Sequence, residues 1–203
     1  MAIFPSRQWV EEVLKKAEAS EEYKEAAKDW EGDFLCIIHC DEAFLADLAR
    51  KEVMEGFLTF MDMMPAEGVK KYRGTPLGTV MEEKLGASLD TPAAQWDAAA
   101  MAQKVSALTA DDVAGASLYF WADFWHGAVR TMTAVAPGEH DDAAFKLIGK
   151  YSVWKMLVSG QQDTMRLVMS NRLQLEGDLQ YVMKRMKGIV ALSSEVLSAV
   201  PID

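Results

Sequence analysis

The chain has only two cysteines among its 203 residues, Cys36 and Cys40, and both fall in an extended apolar run. Four residues of strand span ~13 Å, whereas the Cα atoms joined by a disulfide lie within ~7 Å. His39 and Asp41 are next to them, but strand alternation would place these ligands on different faces. We therefore expect buried free thiols and no metal site.

Long apolar runs are also lacking, and none reaches the length that crosses a bilayer. The first residues lack the charged and apolar regions of a signal peptide, and the last three do not form a Ser-Lys-Leu peroxisomal address. These absences predict a cytoplasmic protein.

Basic residues are outnumbered by acidic ones, and the net charge of −10 argues against a nucleic-acid partner. The distribution is uneven, because residues 145–187 hold 8 basic and 3 acidic side chains while the remainder holds 13 and 28. A basic segment can approach anionic headgroups at ~1 kcal/mol per Lys or Arg. The alternative is a solvated helix face at Lys184, Arg185 and Lys187.

Patterns that carry catalysis are missing as well. There is no nucleophile elbow, phosphate loop or dinucleotide-binding glycine pattern. His126 and Asp123 fall on opposite faces of one predicted strand, so they do not form an acid–base pair. We expect His126 to serve a turn, His140 to be solvated in an acidic loop, and His39 to be a hydrogen-bonded core residue. The sequence thus predicts no enzyme, no catalytic residue and no cofactor.

The first half of the chain is mainly helical around one strand. Ser6 precedes a helical pattern, Ser20 opens a second helix that extends to Trp30, and residues 33–40 form a strand. Residues 41–115 then change character, with a helix that ends before Pro65, a loop at 74–78 and a helix after Thr91-Pro92. We interpret 41–115 as a helical insertion between the first and second strands.

The second half supplies four more strands. Residues 117–126 alternate, His126-Gly127 provides a turn, and 128–135 returns as the next strand. Strands near 145–149 and 173–177 enclose two short helices, and 178–199 has one apolar stripe over a predicted helix of ~33 Å. The expected fold class is α+β, with five mostly antiparallel strands flanked by helices in a single domain of residues 1–203.

An ordered set of residues between 145 and 187 is typical of a known family. It comprises an apolar strand, a glycine, an aromatic-x-x-Trp helix, Gly-x-x-Asp and a Leu-x-Leu-x-Gly-Asp segment before the last helix. The matching residues are Phe145, Leu147, Gly149, Tyr151, Trp154, Leu157, Gly160, Asp163, Leu173, Leu175, Gly177 and Asp178. This arrangement resembles the sterol carrier protein-2 (SCP2) lipid-binding family, with the sheet core supplied by 1–40 and 116–203.

The resemblance implies an apolar cavity between the sheet and the C-terminal helices that takes fatty acyl chains, fatty acyl-CoA or sterols. Methionines cluster in the matching region, and flexible thioethers suit a pocket that accepts ligands of varied shape. On that basis the expected ligand-binding residues are Phe124, Trp154, Leu157, Met165, Met169, Leu175, Met183 and Met186. The alternative for each methionine is an ordinary place in the core.

Non-catalytic binding or transfer of apolar small molecules is therefore the predicted function. The alternative is a protein-interaction or oligomerisation module that has no ligand pocket. We expect a lipid-like small molecule as partner, no nucleic acid and no integral membrane segment. Transient contact with a membrane surface and assembly into a homo-oligomer stay open.

Overall fold

A computed structural model describes all 203 residues, and one five-stranded sheet organises it. The strands are β1 (Glu31–His39), β2 (Ser117–Trp125), β3 (Ala128–Ala134), β4 (Phe145–Lys150) and β5 (Leu173–Gly177). Their order in the sheet is β3-β2-β1-β4-β5. Only the β1–β4 pair is parallel, and the other three pairs are antiparallel. The predicted α+β class with a mostly antiparallel sheet is confirmed.

Eleven α-helices surround the sheet. They are α1 (Arg7–Ala19), α2 (Glu21–Ala26), α3 (Glu42–Leu48), α4 (Lys51–Met61), α5 (Ala66–Lys70), α6 (Pro76–Thr79), α7 (Ala98–Val105), α8 (Tyr151–Val158), α9 (Thr164–Met169), α10 (Leu179–Lys184) and α11 (Met186–Ala191). Shorter 3₁₀ turns form at Ala93–Gln95 and Ala110–Val113, and π-helical turns form at Val80–Leu85 and Leu192–Leu197. The expected cap of α1 is present, because the Ser6 hydroxyl accepts a hydrogen bond from the Trp9 backbone N–H at 3.0 Å.

The segment between β1 and β2 is helical as predicted, but its details differ. The prediction of a loop at 74–78 was wrong, because α6 begins there. Thr75 is its N-cap, since the Thr75 hydroxyl accepts a hydrogen bond from the Gly78 N–H at 3.1 Å, and Pro76 lies in the first turn. The single helix expected before Pro65 divides into α3 and α4, which are separated by Ala49 and Arg50.

The prediction of one long terminal helix over 178–199 was also wrong. The helix breaks at Arg185, whose backbone has φ −114° and ψ 20°. The Arg185 side chain donates from Nε to the Asp29 carbonyl at 2.6 Å and lies 3.7 Å from the Tyr181 ring centroid. These contacts hold the break against the residues that precede β1. An apolar stripe predicts a helix but does not show where tertiary contacts will bend it.

The sheet buries one face under helices. On that face Phe34, Cys36 and Ile38 of β1 pair with Ala122, Phe120 and Leu118 of β2. One continuous cluster of buried hydrophobic residues joins this face to α1, to α8 and to the helices between β1 and β2. The helical segment 41–115 therefore shares its core with the sheet.

The opposite face of the sheet is partly covered by the loop before β4. His140 stacks on Trp121 with ring centroids 4.2 Å apart, and Asp33 accepts from the Trp121 indole N–H at 2.6 Å. His140 is thus half-buried, not solvated as predicted. His39 is exposed at the end of β1, where its Nδ1 lies 2.8 Å from the Ser117 hydroxyl, so it is not the core residue that was expected.

Candidate functional site

An apolar cavity lies between the inner face of the sheet and the helices that cover it. All five strands contribute to its wall, and α1, α2, α8 and the C-terminal helices close the other side. Twenty of its 22 lining residues are hydrophobic, and the other two are Thr164 and Gly188. No lining residue carries a charge, so the cavity offers burial but no ionic anchor.

The cavity has a volume of about 80 Å³. On a comparable scale, an engineered apolar cavity of ~150 Å³ binds benzene and stays dry in its absence. The free space therefore suits only a short hydrocarbon segment as the side chains now stand. A longer chain requires that some of the wall move outward.

The two ends of the cavity differ in exposure. At the inner end, Trp9, Phe120 and Trp154 are at most 4% exposed, and the Phe120 ring lies 6.3 Å from that of Trp9 and 5.5 Å from that of Trp154. Toward the surface, Phe34 and Leu175 are half-buried. The half-buried side is the direction from which a ligand can enter.

Polar atoms in the wall are few and mostly satisfied. The Ser193 hydroxyl donates to the Ile189 carbonyl at 3.1 Å and lies 2.9 Å from the Thr164 hydroxyl. Burial raises the pKa of the Cys36 thiol and of the Tyr23 phenol far above their ordinary values. Both groups are therefore neutral near pH ~7, and neither supplies an anion or a nucleophile to the cavity.

Four of the eight residues predicted to bind ligand line this cavity. They are Phe124 of β2, Trp154 and Leu157 of α8, and Leu175 of β5. The Trp154 indole N–H donates to the Ile37 carbonyl at 3.3 Å, which ties α8 to β1. The alternation of β2 and the aromatic-x-x-Trp spacing of α8 placed these residues on the sheet–helix interface.

The four methionines predicted alongside them lie outside this cavity, and a role for them in ligand binding stays a prediction. Met169 is 80% exposed and Met183 is 55% exposed, while Met165 is buried and Met186 half-buried outside the wall. Because the last helix breaks at Arg185, the apolar stripe predicted for one continuous helix does not describe both α10 and α11. Only Gly188, Ile189, Leu192 and Leu197 from this region reach the cavity.

The sequence interpretation missed most of the wall on the N-terminal side. Trp9 and Val13 come from α1, and Tyr23 and Ala27 come from the α2 region. The i, i+4 spacing of Trp9 and Val13 was visible as an apolar helix face. Nothing in that spacing distinguishes a face that borders a void from one that packs tightly.

Other chemistry-bearing groups lie away from the cavity. His126 lies in the β2–β3 turn, as predicted, with φ +49°. Its Nδ1 lies 2.8 Å from the Lys28 carbonyl oxygen, and its Nε2 lies 2.9 Å from the Glu31 carboxylate. Asp123 pairs with Arg130 at 2.8 Å. No cluster of three or more His, Cys, Asp and Glu side chains is arranged to hold a metal ion. None of the helices combines the length and apolar character needed to cross a membrane.

Two solved structures share this architecture. "Crystal structure of sterol carrier protein 2" matches with a TM-score of 0.53 and 16% identity, covering 95% of each chain. A solution structure of a conserved hypothetical protein from Thermus thermophilus, described as possibly sterol carrier protein, matches with a TM-score of 0.53 and 15% identity. That comparison covers 100% of this chain and 97% of the other. At these identities the likeness shows the fold alone.

Sequence comparison supplies the family. No curated protein matches the chain significantly. The model of the SCP-2 sterol transfer family matches residues 85–189, which is more than half of the chain and extends from before β2 into α11. The chain therefore belongs to the SCP-2 sterol transfer family, which is a lipid-transfer and generally non-catalytic family.

Proposed function

We propose that this protein binds the hydrocarbon part of a single lipid molecule in the cavity between the sheet and the helices. The supporting observation is the wall itself, with 20 hydrophobic residues among 22 and no charged one. The transfer of a hydrocarbon from water into an apolar cavity is favourable in free energy. The proposed role is carriage of a fatty acyl chain, an acyl-CoA or a sterol-like lipid, without catalysis.

Burial of a hydrocarbon tail gives sufficient affinity without an ionic contact. A chain of ~14 carbons gains ~11 kcal/mol at ~0.8 kcal/mol per methylene. Association costs ~4–8 kcal/mol, which leaves ~3–7 kcal/mol. The corresponding dissociation constants run from millimolar to about ten micromolar.

We infer that the cavity enlarges when a long ligand enters. A volume of about 80 Å³ is too small for a chain of that length. The wall beside the half-buried residues Leu175 and Leu192 is built from β5, at the edge of the sheet, and the short C-terminal helices. Short elements with few neighbours open at low free-energy cost, so this side is where we expect the expansion.

The helical segment 41–115 contributes none of the lining residues. It is attached instead to α8, where the Asp47 carboxylate accepts from Lys155 at 2.7 Å and from the Tyr151 hydroxyl at 2.9 Å. We propose that the chain is a single domain of residues 1–203, in which this insertion supports α8 and neither roofs nor plugs the cavity.

Native mass spectrometry of the protein incubated with dodecanoate tests the binding proposal. Ala122 lines the cavity and is 1% exposed, so Ala122→Leu would fill part of the void with about three added carbons. Ala128→Leu is the matched control, because it makes the same change at an exposed position of the neighbouring strand. We expect a one-to-one lipid complex for the wild type and the control, and at least tenfold less complex for Ala122→Leu.

If the wild type forms no lipid complex, the proposal fails. Light scattering on the same samples addresses the alternative function. A stable oligomer without bound lipid would favour the interaction module.

We also propose a transient contact between α10 and an anionic membrane surface. Leu179 and Met183 are 53% and 55% exposed and lie one helical turn apart. Lys184 and Lys187 are exposed beside them, and each adds ~1 kcal/mol near anionic headgroups. The fraction of protein that sediments with phosphatidylserine vesicles should be severalfold lower for Met183→Ser than for the wild type. Equal fractions for the two proteins would contradict this contact.

A further inference from the structure

One indole group of this protein is unlike the other five. The N–H groups of Trp30, Trp96, Trp121 and Trp154 each donate to a protein oxygen. Trp125 is 41% exposed and can donate to water. The remaining tryptophan is 1% exposed, and its Nε1 is the one buried side-chain nitrogen or oxygen without a hydrogen-bond partner.

This residue is Trp9, and it lines the inner end of the apolar cavity. A buried donor without an acceptor costs free energy, which is why native proteins rarely leave one unpaired. Trp9 makes edge-to-face contacts with Phe4 and Phe120, with ring centroids 4.8 Å and 6.3 Å away. Neither ring carries a nitrogen or oxygen acceptor, so a ligand in the cavity that Trp9 lines is the candidate to supply one.

We propose that Trp9 recognises a neutral oxygen atom of the ligand, which accepts a hydrogen bond from its indole N–H at the inner end of the cavity. This inference rests on the proposed function and adds the chemical class of the ligand group that binds at the inner end of the cavity. The preferred ligand carries a carbonyl or hydroxyl group on a hydrocarbon skeleton, and that group enters first.

Because no charged residue lines the cavity, we expect the oxygen of the ligand to be neutral. No lysine, arginine or histidine lines the cavity, so a carboxylate at the inner end would be an unpaired buried ion. A neutral oxygen loses less hydration and can recover a hydrogen bond at Trp9. A fatty acid would therefore bind tail first and leave Trp9 unpaired.

Thr164 cannot replace Trp9 as the donor. The Ser193 hydroxyl donates to the Ile189 carbonyl, so the proton between Thr164 and Ser193 comes from Thr164. Thr164 then offers only acceptor lone pairs to the cavity. A ketone accepts hydrogen bonds but cannot donate them, so it does not engage Thr164. The neutral Tyr23 phenol also lines the cavity, and the Trp9→Phe variant, which retains Tyr23, distinguishes these two donors.

The test compares methyl decyl ketone with dodecane, which have equal chain length, delivered from cyclodextrin to wild type, Trp9→Phe and Trp154→Phe. Trp154 is the matched control, because it lines the same cavity but its N–H is already bound to Ile37. The measured quantity is the ratio of the two affinities, which cancels changes in cavity shape common to both ligands. We expect Trp9→Phe to lower the ketone preference about fivefold, and Trp154→Phe to leave it within ~2-fold.

Each outcome separates the two proposals. If the wild type binds neither probe, the proposed function fails and this inference fails with it. If both probes bind and the ratio in Trp9→Phe equals that of the wild type, the inference is overturned while lipid binding stands.

A spectroscopic readout on the wild type does not depend on the variants folding. The ketone should move the Trp9 indole N–H proton resonance downfield relative to dodecane, because a hydrogen bond deshields that proton. Equal shifts with both ligands would show that the N–H finds no acceptor on the ligand.

Discussion

Gly127 and Gly138 have the same unusual backbone in very different surroundings. Their φ angles are +78° and +80°, in the region that favours glycine. A Cβ on Gly127 would lie 2.4 Å from the Lys24 carbonyl oxygen, because the β2–β3 turn packs on the end of α2. A Cβ on Gly138 would meet nothing within 4 Å. The pair therefore separates backbone strain from steric contact.

We expect Gly138→Ala to lower the free energy of unfolding by about 1 kcal/mol, from strain alone. Gly127→Ala should cost at least ~1 kcal/mol more, since the turn or α2 must move. Urea denaturation of both variants measures the difference. Equal losses would show that the turn is not held against α2.

Buried acids give the stability a defined dependence on pH. Burial raises the pKa values of Cys36, Tyr23, Tyr72 and Tyr151, and for Tyr151 the neighbouring Asp47 adds to the effect. The unfolded chain releases these protons above pH ~8.5 for cysteine and ~10 for tyrosine, while the folded protein retains them. The unfolded state then binds fewer protons, so stability falls as pH rises.

We predict a constant contribution from these groups below pH ~8 and a progressive loss above pH ~9, with each group adding up to ~1.4 kcal/mol per pH unit. Urea denaturation between neutral and alkaline pH measures the slope. Cys36→Ala is the control, and it should reduce the earliest part of the decline, to which Cys40 also contributes because burial raises its pKa. A free energy of unfolding that stays constant up to pH ~11 would contradict the buried, neutral state of these side chains.

At the scale of elements, Asp41 joins the helical insertion to the last third of the chain. Its two carboxylate oxygens accept from the Phe44 N–H at the start of α3 and from the Ser152 N–H at the start of α8, each at 3.1 Å. Asp97 caps α7 through the Ala100 N–H at 3.0 Å and is exposed. Both residues are N-caps, but only Asp41 links two helices.

We expect Asp97→Ala to cost about 1 kcal/mol, the usual value of an N-cap. Asp41→Ala should cost ~2–3 kcal/mol, because it also leaves the Ser152 N–H without its partner. Thermal unfolding of the two variants compares them directly. A similar loss for both would mean that the bond between Asp41 and α8 adds nothing to stability.

Local sequence patterns predicted where the helices and strands lie, but they did not predict where a helix breaks. The alternation of β2, its turn at His126-Gly127 and the caps at Ser6 and Ser20 lie where the sequence predicted them. The terminal helix failed at Arg185, because its break depends on Asp29, which is 156 residues distant along the chain. Short-range periodicity contains no information about such a partner.

A glycine inside α11, Gly188, marks a close approach between two helices, as an isolated helix glycine often does. A Cβ there would lie 3.1 Å from the Cα of Ala27, so the end of α2 packs against α11 at this residue. Both residues line the cavity, and this contact closes it on that side.

At the scale of the whole molecule, the family and the fold could be predicted, but the lining of the cavity could not. The ordered residues from Phe145 to Asp178 identify the family because they mark strands, turns, helix caps and the buried face of α8 in a fixed order. A void arises instead from the combined volumes of side chains on many elements. The methionines illustrate this, since Met169 and Met183 have suitable chemistry but face outward.

The most direct measurement of the central claim is displacement of a fluorescent fatty acid by dodecanoate from the wild type, Ala122→Leu and Ala128→Leu. We expect saturable one-to-one binding by the wild type and Ala128→Leu, and an affinity at least tenfold lower for Ala122→Leu with no loss of thermal stability. Equal affinity in all three proteins would show that the lipid binds outside the cavity.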